Sequence, residues 1–123
     1  MVKYTIEGEL PGLNEYIASM NSSRYIGNKL KQSTQENIMW QLKQQGIKKL
    51  DVPVVIKFLW VCKNEKKDID NVASAKKFCL DALVKVGVLQ NDSRRWIKGF
   101  MDDFTIDKEN PRVEVTLEEY LKE

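Results

Sequence analysis

Three features of the sequence predict an α+β fold. Short stretches alternate apolar with polar residues, two stretches of helical periodicity lie between them, and one mid-chain run is almost continuously apolar. The predicted order is β-α-β-α-β-β, a single domain spanning residues 1–123 with one mixed β-sheet and helices packed on one face. A chain of 123 residues has room for one core and not for two.

From Val2 to Leu10, Tyr4, Ile6 and Leu10 alternate with Lys3, Thr5, Glu7 and Glu9, which predicts a strand with one buried face. Pro11 and Gly12 end it, and Leu13 to Gly27, sprinkled with Asn, Ser and Gly, reads as a long connection. Asn28 to Gln45 carries Leu30, Ile38, Met39 and Leu42 at helical spacing and predicts an amphipathic helix stopped by Gly46. Pro53 opens the apolar strand Val54 to Cys62, whose composition places it centrally in the sheet. Val72, Ala75, Cys79, Ala82, Leu83 and Val86 recur at steps of three and four, so one helix runs from about Asp70 to its stop at Gly87. Strands over Trp96 to Thr105 and Arg112 to Glu118 complete the set.

Composition narrows the chemistry. There is no histidine, so imidazole is unavailable as base or ligand, and hydrolysis would fall to carboxylates, Lys, Tyr or metal-bound water. Cys62 and Cys79 sit among apolar neighbours in a strand and a helix and read as reduced core residues, with no C-x-x-C pair to suggest zinc. No apolar run reaches the roughly 18–20 residues that span a bilayer. The N-terminus reads as a strand rather than a signal peptide, so no membrane association and a cytoplasmic location are expected. Charge is segregated: Lys57 to Lys98 holds ten bases against five acids, while Asp102 to Glu123 holds eight acids against three bases. A basic surface around a few acids suits phosphate binding about a cation.

Those acids are the informative feature. Lys67-Asp68-Ile69-Asp70-Asn71-Val72 sets two carboxylates one residue apart where strand gives way to helix, and Asp92 follows just past that helix. Magnesium prefers oxygen ligands and takes one or two carboxylates while keeping waters, so two of Asp68, Asp70 and Asp92 would suffice. At about 100° per residue, Asp70 and Lys77 fall within about 20° of one helix face, with Lys77 leaning back toward Asp70. Lys76 lies closer to the buried stripe. The same acids also suit ordinary structure: Asp68 or Asp70 as a helix N-cap, Asp92 as part of an Asx turn after Asn91.

Lys67-Asp68-Ile69-Asp70-Asn71, Lys77-Phe78-Cys79-Leu80-Asp81-Ala82-Leu83 and Gly87-Val88-Leu89-Gln90-Asn91-Asp92 together resemble the RusA family of Holliday junction resolvases. The shared pattern is D-x-D-N, a Lys four residues before D-A-L, and a Gly followed five residues later by Asp. Leu10-Pro11-Gly12-Leu13-Asn14 and Pro111-Arg112-Val113-Glu114-Val115 extend the likeness over nearly the whole chain. The resemblance implies a homodimeric, Mg²⁺-dependent endodeoxyribonuclease that cuts opposed strands of a four-way DNA junction, in DNA recombination and repair. It also implies metal binding by Asp70 and Asp92, with Asp68 essential, Asn71 behind them and Lys77 facing the phosphate. Two departures stand out. Three extra residues separate Asp70-Asn71 from Asp81-Ala82-Leu83, so counting from Asp70 selects Ser74 and counting back from Asp81 selects Lys77. Asn91 stands where some relatives carry a second Asp.

For DNA contact, Lys63, Lys66 and Lys67 flank the acids, Arg94 and Arg95 follow Asp92, and Arg24, Lys29 and Lys31 form a second patch. Tyr25 reads as a core residue with the alternative of stacking on an unpaired base, and Trp40, Trp60 and Trp96 as core or dimer contacts. The alternatives to a resolvase are a branched-DNA-binding protein without turnover, a nuclease of broader specificity, or an interaction module whose acids merely cap helices.

Overall fold

The computed structural model describes residues 1–121. Its elements are β1 (Val2–Glu7), α1 (Leu13–Ser22), α2 (Arg24–Gln44), β2 (Val54–Cys62), α3 (Ile69–Ala73), α4 (Lys76–Lys85), β3 (Ile97–Ile106) and β4 (Arg112–Glu119). The class is α+β, as the sequence predicts; the helix expected over 28–45 falls in α2 but for its last residue, and the one expected from Asp70 is split into α3 and α4. The sheet runs β1-β4-β2-β3, with β2 parallel to β3 and the other pairs antiparallel. Pairing on both sides makes β2 central, which accounts for its apolar composition.

One sheet face is covered. Tyr4, Ile6, Ile56, Phe58, Trp60, Val113, Val115 and Leu117 are buried on it, against Ile38 and Leu42 of α2 and Cys79, Ala82 and Leu83 of α4. On the other face Met101, Asp103 and Thr105 of β3 are exposed, and Lys57 pairs with Glu118 across β2 and β4. β2 thus alternates buried with partly exposed positions along most of its length, despite its apolar composition.

The expected connection over 13–27 is instead helical. Its Asn, Ser and Gly do local work rather than forming a loop. The Ser23 Oγ accepts the Ile26 N–H at 3.0 Å, capping α2. Gly27 permits α1 to lie close, since a Cβ there would sit 2.0 Å from the Met20 sulfur. α1 buries no residue fully, although Leu13, Tyr16, Ile17 and Met20 recur at helical spacing; the Asn, Ser and Gly around them read as a loop and hid that stripe. The single helix expected from Asp70 breaks at Ser74-Ala75. There the Ser74 hydroxyl donates back to the Asn71 carbonyl at 2.6 Å, and Ala75 is buried against the core.

The two sheet edges differ. Along the outer edge of β1, Gln45 accepts the Thr5 N–H at 2.9 Å and donates to the Thr5 carbonyl at 2.7 Å. Gln41 accepts the Glu7 N–H at 2.7 Å. Two glutamines of α2 therefore stand where a neighbouring strand would be. Along β3 no side chain among the described residues bonds the outer backbone, and Phe100, Met101 and Ile106 are exposed there.

Leu83 is fully buried where α4 meets the sheet. Leu83→Ala is expected to lower unfolding free energy by about 2–5 kcal/mol. A shift of the urea midpoint at unchanged slope is the check.

Candidate active site

The loop after β2 carries the first acids into place. Asp68 occupies the N-cap position of α3, yet its side chain makes no capping hydrogen bond. The carboxylate is exposed and uncommitted, so a helix-cap role does not account for it. Asp70 is exposed too, and one of its oxygens accepts the Asn71 N–H at 2.9 Å. Asn71 turns the other way. Its Oδ1 accepts the Asn14 N–H at 3.0 Å, and a Cβ on Gly12 would lie 2.7 Å from that oxygen. Gly12 therefore leaves the room in which Asn71 locks α3 to the start of α1.

Lys67 is held in this corner by Glu9 at 3.7 Å and by a close ion pair with Glu15. The hydrogen bond from Lys67 pulls the Glu15 carboxyl below its usual range. Lys67 is thus a scaffold for the loop, engaged by acids rather than free for phosphate.

The second half of the site is a chain of polar contacts. The Lys77 ammonium, in the first turn of α4, lies 2.9 Å from Asp92 and 3.0 Å from Asp81. The other Asp81 oxygen accepts from Gln35 Nε2 at 3.0 Å, and Gln35 Oε1 accepts from Lys85 at 2.5 Å. Gln35 is only 3% exposed, so a buried amide of α2 fixes the carboxylate that fixes Lys77. Hydrogen bonds from Lys77 lower the Asp92 pKa, and those to Asp92 and Asp81 raise that of Lys77. Asn91 forms the Asx turn, accepting the Ser93 N–H at 2.9 Å, which leaves Asp92 to Lys77. Because the helix breaks, Asp70 and Lys77 do not share one helix face. The geometry instead joins Lys77 to Asp92.

Among the described residues no three acidic, histidine or cysteine side chains come together as a ready-made metal cage. The expectation of three aspartates around one ion is not met in the single chain. The donor chemistry still fits a hard divalent cation, since Asp68, Asp70 and Asp92 offer exposed carboxylate oxygens, with the Lys77 ammonium now occupying one oxygen of Asp92.

A model of the family described as endodeoxyribonuclease RusA matches residues 9–118. The chain belongs to the RusA endodeoxyribonuclease family. No curated protein matches it. The match to the RusA family takes in Asp68, Asp70, Asp81 and Asp92, together with Gly12, Asn14, Asn71 and Lys77.

The remaining basic residues divide. Lys63, Lys66, Arg94, Arg95, Arg24, Lys29 and Lys31 are exposed and enter no ion pair among the described residues. Lys76 is half-buried, 2.7 Å from Asp102 and over the rings of Phe58 and Phe100, a strut between α4 and the sheet. Tyr25 is not a core residue: it is 71% exposed beneath Lys29. Trp60 is buried, whereas Trp40 is 61% exposed and outside the core. Gln35 is the contact that sequence reading missed, and nothing local signalled it. Asp81 stood in the D-A-L motif four residues after Lys77 with no role assigned, and the structure shows it holding Lys77.

The depressed Asp92 pKa carries a pH signature. The carboxylate is stabilised folded, so its contribution is present above the usual aspartate range and lost as pH falls through the lower folded value. The pair is largely exposed and contributes no more than about 1 kcal/mol. In acid titrations of stability below about pH 4, Asp92→Asn is expected to lose less than the parent protein.

Proposed function

We propose that this protein is a Mg²⁺-dependent endodeoxyribonuclease that resolves Holliday junctions by paired, symmetric phosphodiester hydrolysis, in cytoplasmic DNA recombination and repair. Membership of the RusA family supports nuclease chemistry. The observation that carries the reading to these residues is the Lys77 ammonium held between Asp92 and Asp81. It puts a preorganised cation beside a carboxylate at the surface, with a second pair of unpaired carboxylates at the head of α3.

In this reading Asp70 and Asp92 would hold the metal and Asp68 would help position the metal or the attacking water. When bound, Mg²⁺ supplies charge that stabilises the transition state and makes water a better nucleophile at neutral pH. Lys77 keeps its hold on Asp81 and donates to a phosphate oxygen as negative charge develops there. Asn71, bonded to the Asn14 N–H, keeps the Asp68–Asp70 turn from swinging away from the substrate. The exposed Lys63, Lys66, Arg94 and Arg95 neutralise flanking phosphates, and Arg24, Lys29 and Lys31 those of a further arm.

Two matched nicks call for two matched sites, and a twofold homodimer supplies them. The open edge of β3, with Phe100 and Met101 exposed, is the surface this reading assigns to the second copy. Helices of the described residues are not long and apolar enough to cross a membrane.

Asp70→Asn is expected to abolish Mg²⁺-dependent cutting of a synthetic four-way junction while leaving junction binding largely intact. Unaltered cutting would remove Asp70 from the chemistry. Lys77→Met should slow cleavage about 100- to 1000-fold at unchanged affinity, measured by single-turnover kinetics. Comparison of junction, flap and plain duplex separates a resolvase from a broader nuclease. Met101→Lys is expected to shift sedimentation toward the monomer, and an unchanged dimer would move the interface elsewhere.

A further inference from the structure

Beside the proposed active site lies a cavity of about 310 Å³ that neither the catalytic chemistry nor the sheet edges use. Its walls are Leu10, Val61, Val72 and Val113, with Trp60 and Cys62 from the end of β2. Four cations surround it: Lys63, Lys66, Lys67 and Arg112, against the single acid Glu9. Lys67 and Arg112 are engaged by Glu15, Glu9, Asp107 and Glu114. Lys63 and Lys66 have no ion-pair partner among the described residues and are exposed at the rim. Asn64 also lines the cavity. Its Oδ1 accepts the Lys66 N–H at 3.0 Å, which leaves its amide NH₂ without a partner among the described residues.

We propose that this cavity receives one unstacked nucleobase of the branched DNA, next to the scissile phosphate. The inference rests on the nuclease reading and adds to it the part of the substrate that selects where cutting occurs. Three observations favour a base over other occupants. Apolar walls beneath free lysines match a flat, weakly polar ring carried on an anionic backbone. The volume lies at the low end for small-ligand sites, about 300–1000 Å³, and suits a single base rather than a peptide. Position is the third. A second cavity, lined by Asp68, Ile69 and Phe104, shares Cys62, Asn64, Lys67 and Val72 with the first. The base site therefore adjoins the space that Asp68 lines, and Lys66 is only two residues, at most about 7 Å of chain, from Asp68. At a branch the bases beside the crossover are the least expensive to unstack, so a pocket there reads the junction itself.

Cys62 provides a probe that does not depend on cleavage. It is partly exposed and lines the cavity, whereas Cys79 is fully buried, its thiol pushed up to about 12, and serves as the unreactive internal reference. The experiment follows N-ethylmaleimide labelling of Cys62 in the metal-free full-length protein, alone and with four-way junctions bearing one abasic site walked through the crossover. The intact junction is expected to slow labelling about 10-fold or more, and an abasic site at one position to restore the rate and weaken binding by a similar factor. Leu10→Trp, which fills the cavity from its half-buried rim, should bind intact and abasic junctions alike. Bound junction that leaves labelling unchanged, or protection indifferent to every abasic position, overturns the base pocket while sparing the nuclease reading. Failure of the parent protein to bind any junction sinks the junction-resolving reading itself.

Discussion

The parallel pairing of β2 with β3 is the constraint from which the rest follows. Two parallel neighbours cannot be joined by a hairpin, so the chain must leave the end of β2 and return to the start of β3 through a long crossover. Here that crossover comprises residues 63–96, and it carries Lys63, Lys66, Asp68, Asp70, Asn71, Lys77, Asp81 and Asp92. Apart from the bases of α2, the candidate chemistry is confined to the one connection that the topology obliges to be long. Buried residues of α4 hold that connection on the sheet, and Gln35 of α2 braces Asp81 from the other side. The polar contacts that set Lys77 are thereby anchored in the packed interior, although the ammonium itself stays at the surface.

How much of this could be read from the sequence depends on how local the cause is. β1, β2 and β4 were legible because alternation or apolar composition is written within each strand. α1 was overlooked because its apolar residues Leu13, Tyr16, Ile17 and Met20 are set among small polar residues that look like a loop. Its stability comes from contacts with α2 and α3 that no window of neighbouring residues reveals. The break at Ser74-Ala75 was invisible to periodicity, since Val72 and Ala75 still fit the apolar spacing on either side. It falls where counting forward from Asp70 and back from Asp81 disagree. Ser74 there bonds to Asn71, while Lys77 reaches Asp92. The candidate acids could be named from their pattern, but their separation within one chain could not, because it follows from how the crossover turns back on itself.

Charge segregation along the chain also changes meaning once folded. The acidic C-terminal stretch is partly neutralised: Asp102 engages Lys76 and Glu118 engages Lys57 of the basic middle, and Asp107 and Glu114 engage Arg112 within the stretch. Among the described residues, the bases without acidic partners lie mainly in the crossover and at the start of α2. A modest net charge of +2 therefore coexists with local positive fields able to attract a polyanion.

The glutamines along β1 have a further consequence for assembly. A sheet with two exposed margins is a bifunctional monomer, and edge-to-edge growth then has no reason to stop. Gln41 and Gln45 make this sheet monofunctional. Any strand addition between copies would then be self-terminating: β3 against β3 would consume both reactive margins, and no site would be left on which a filament could lengthen.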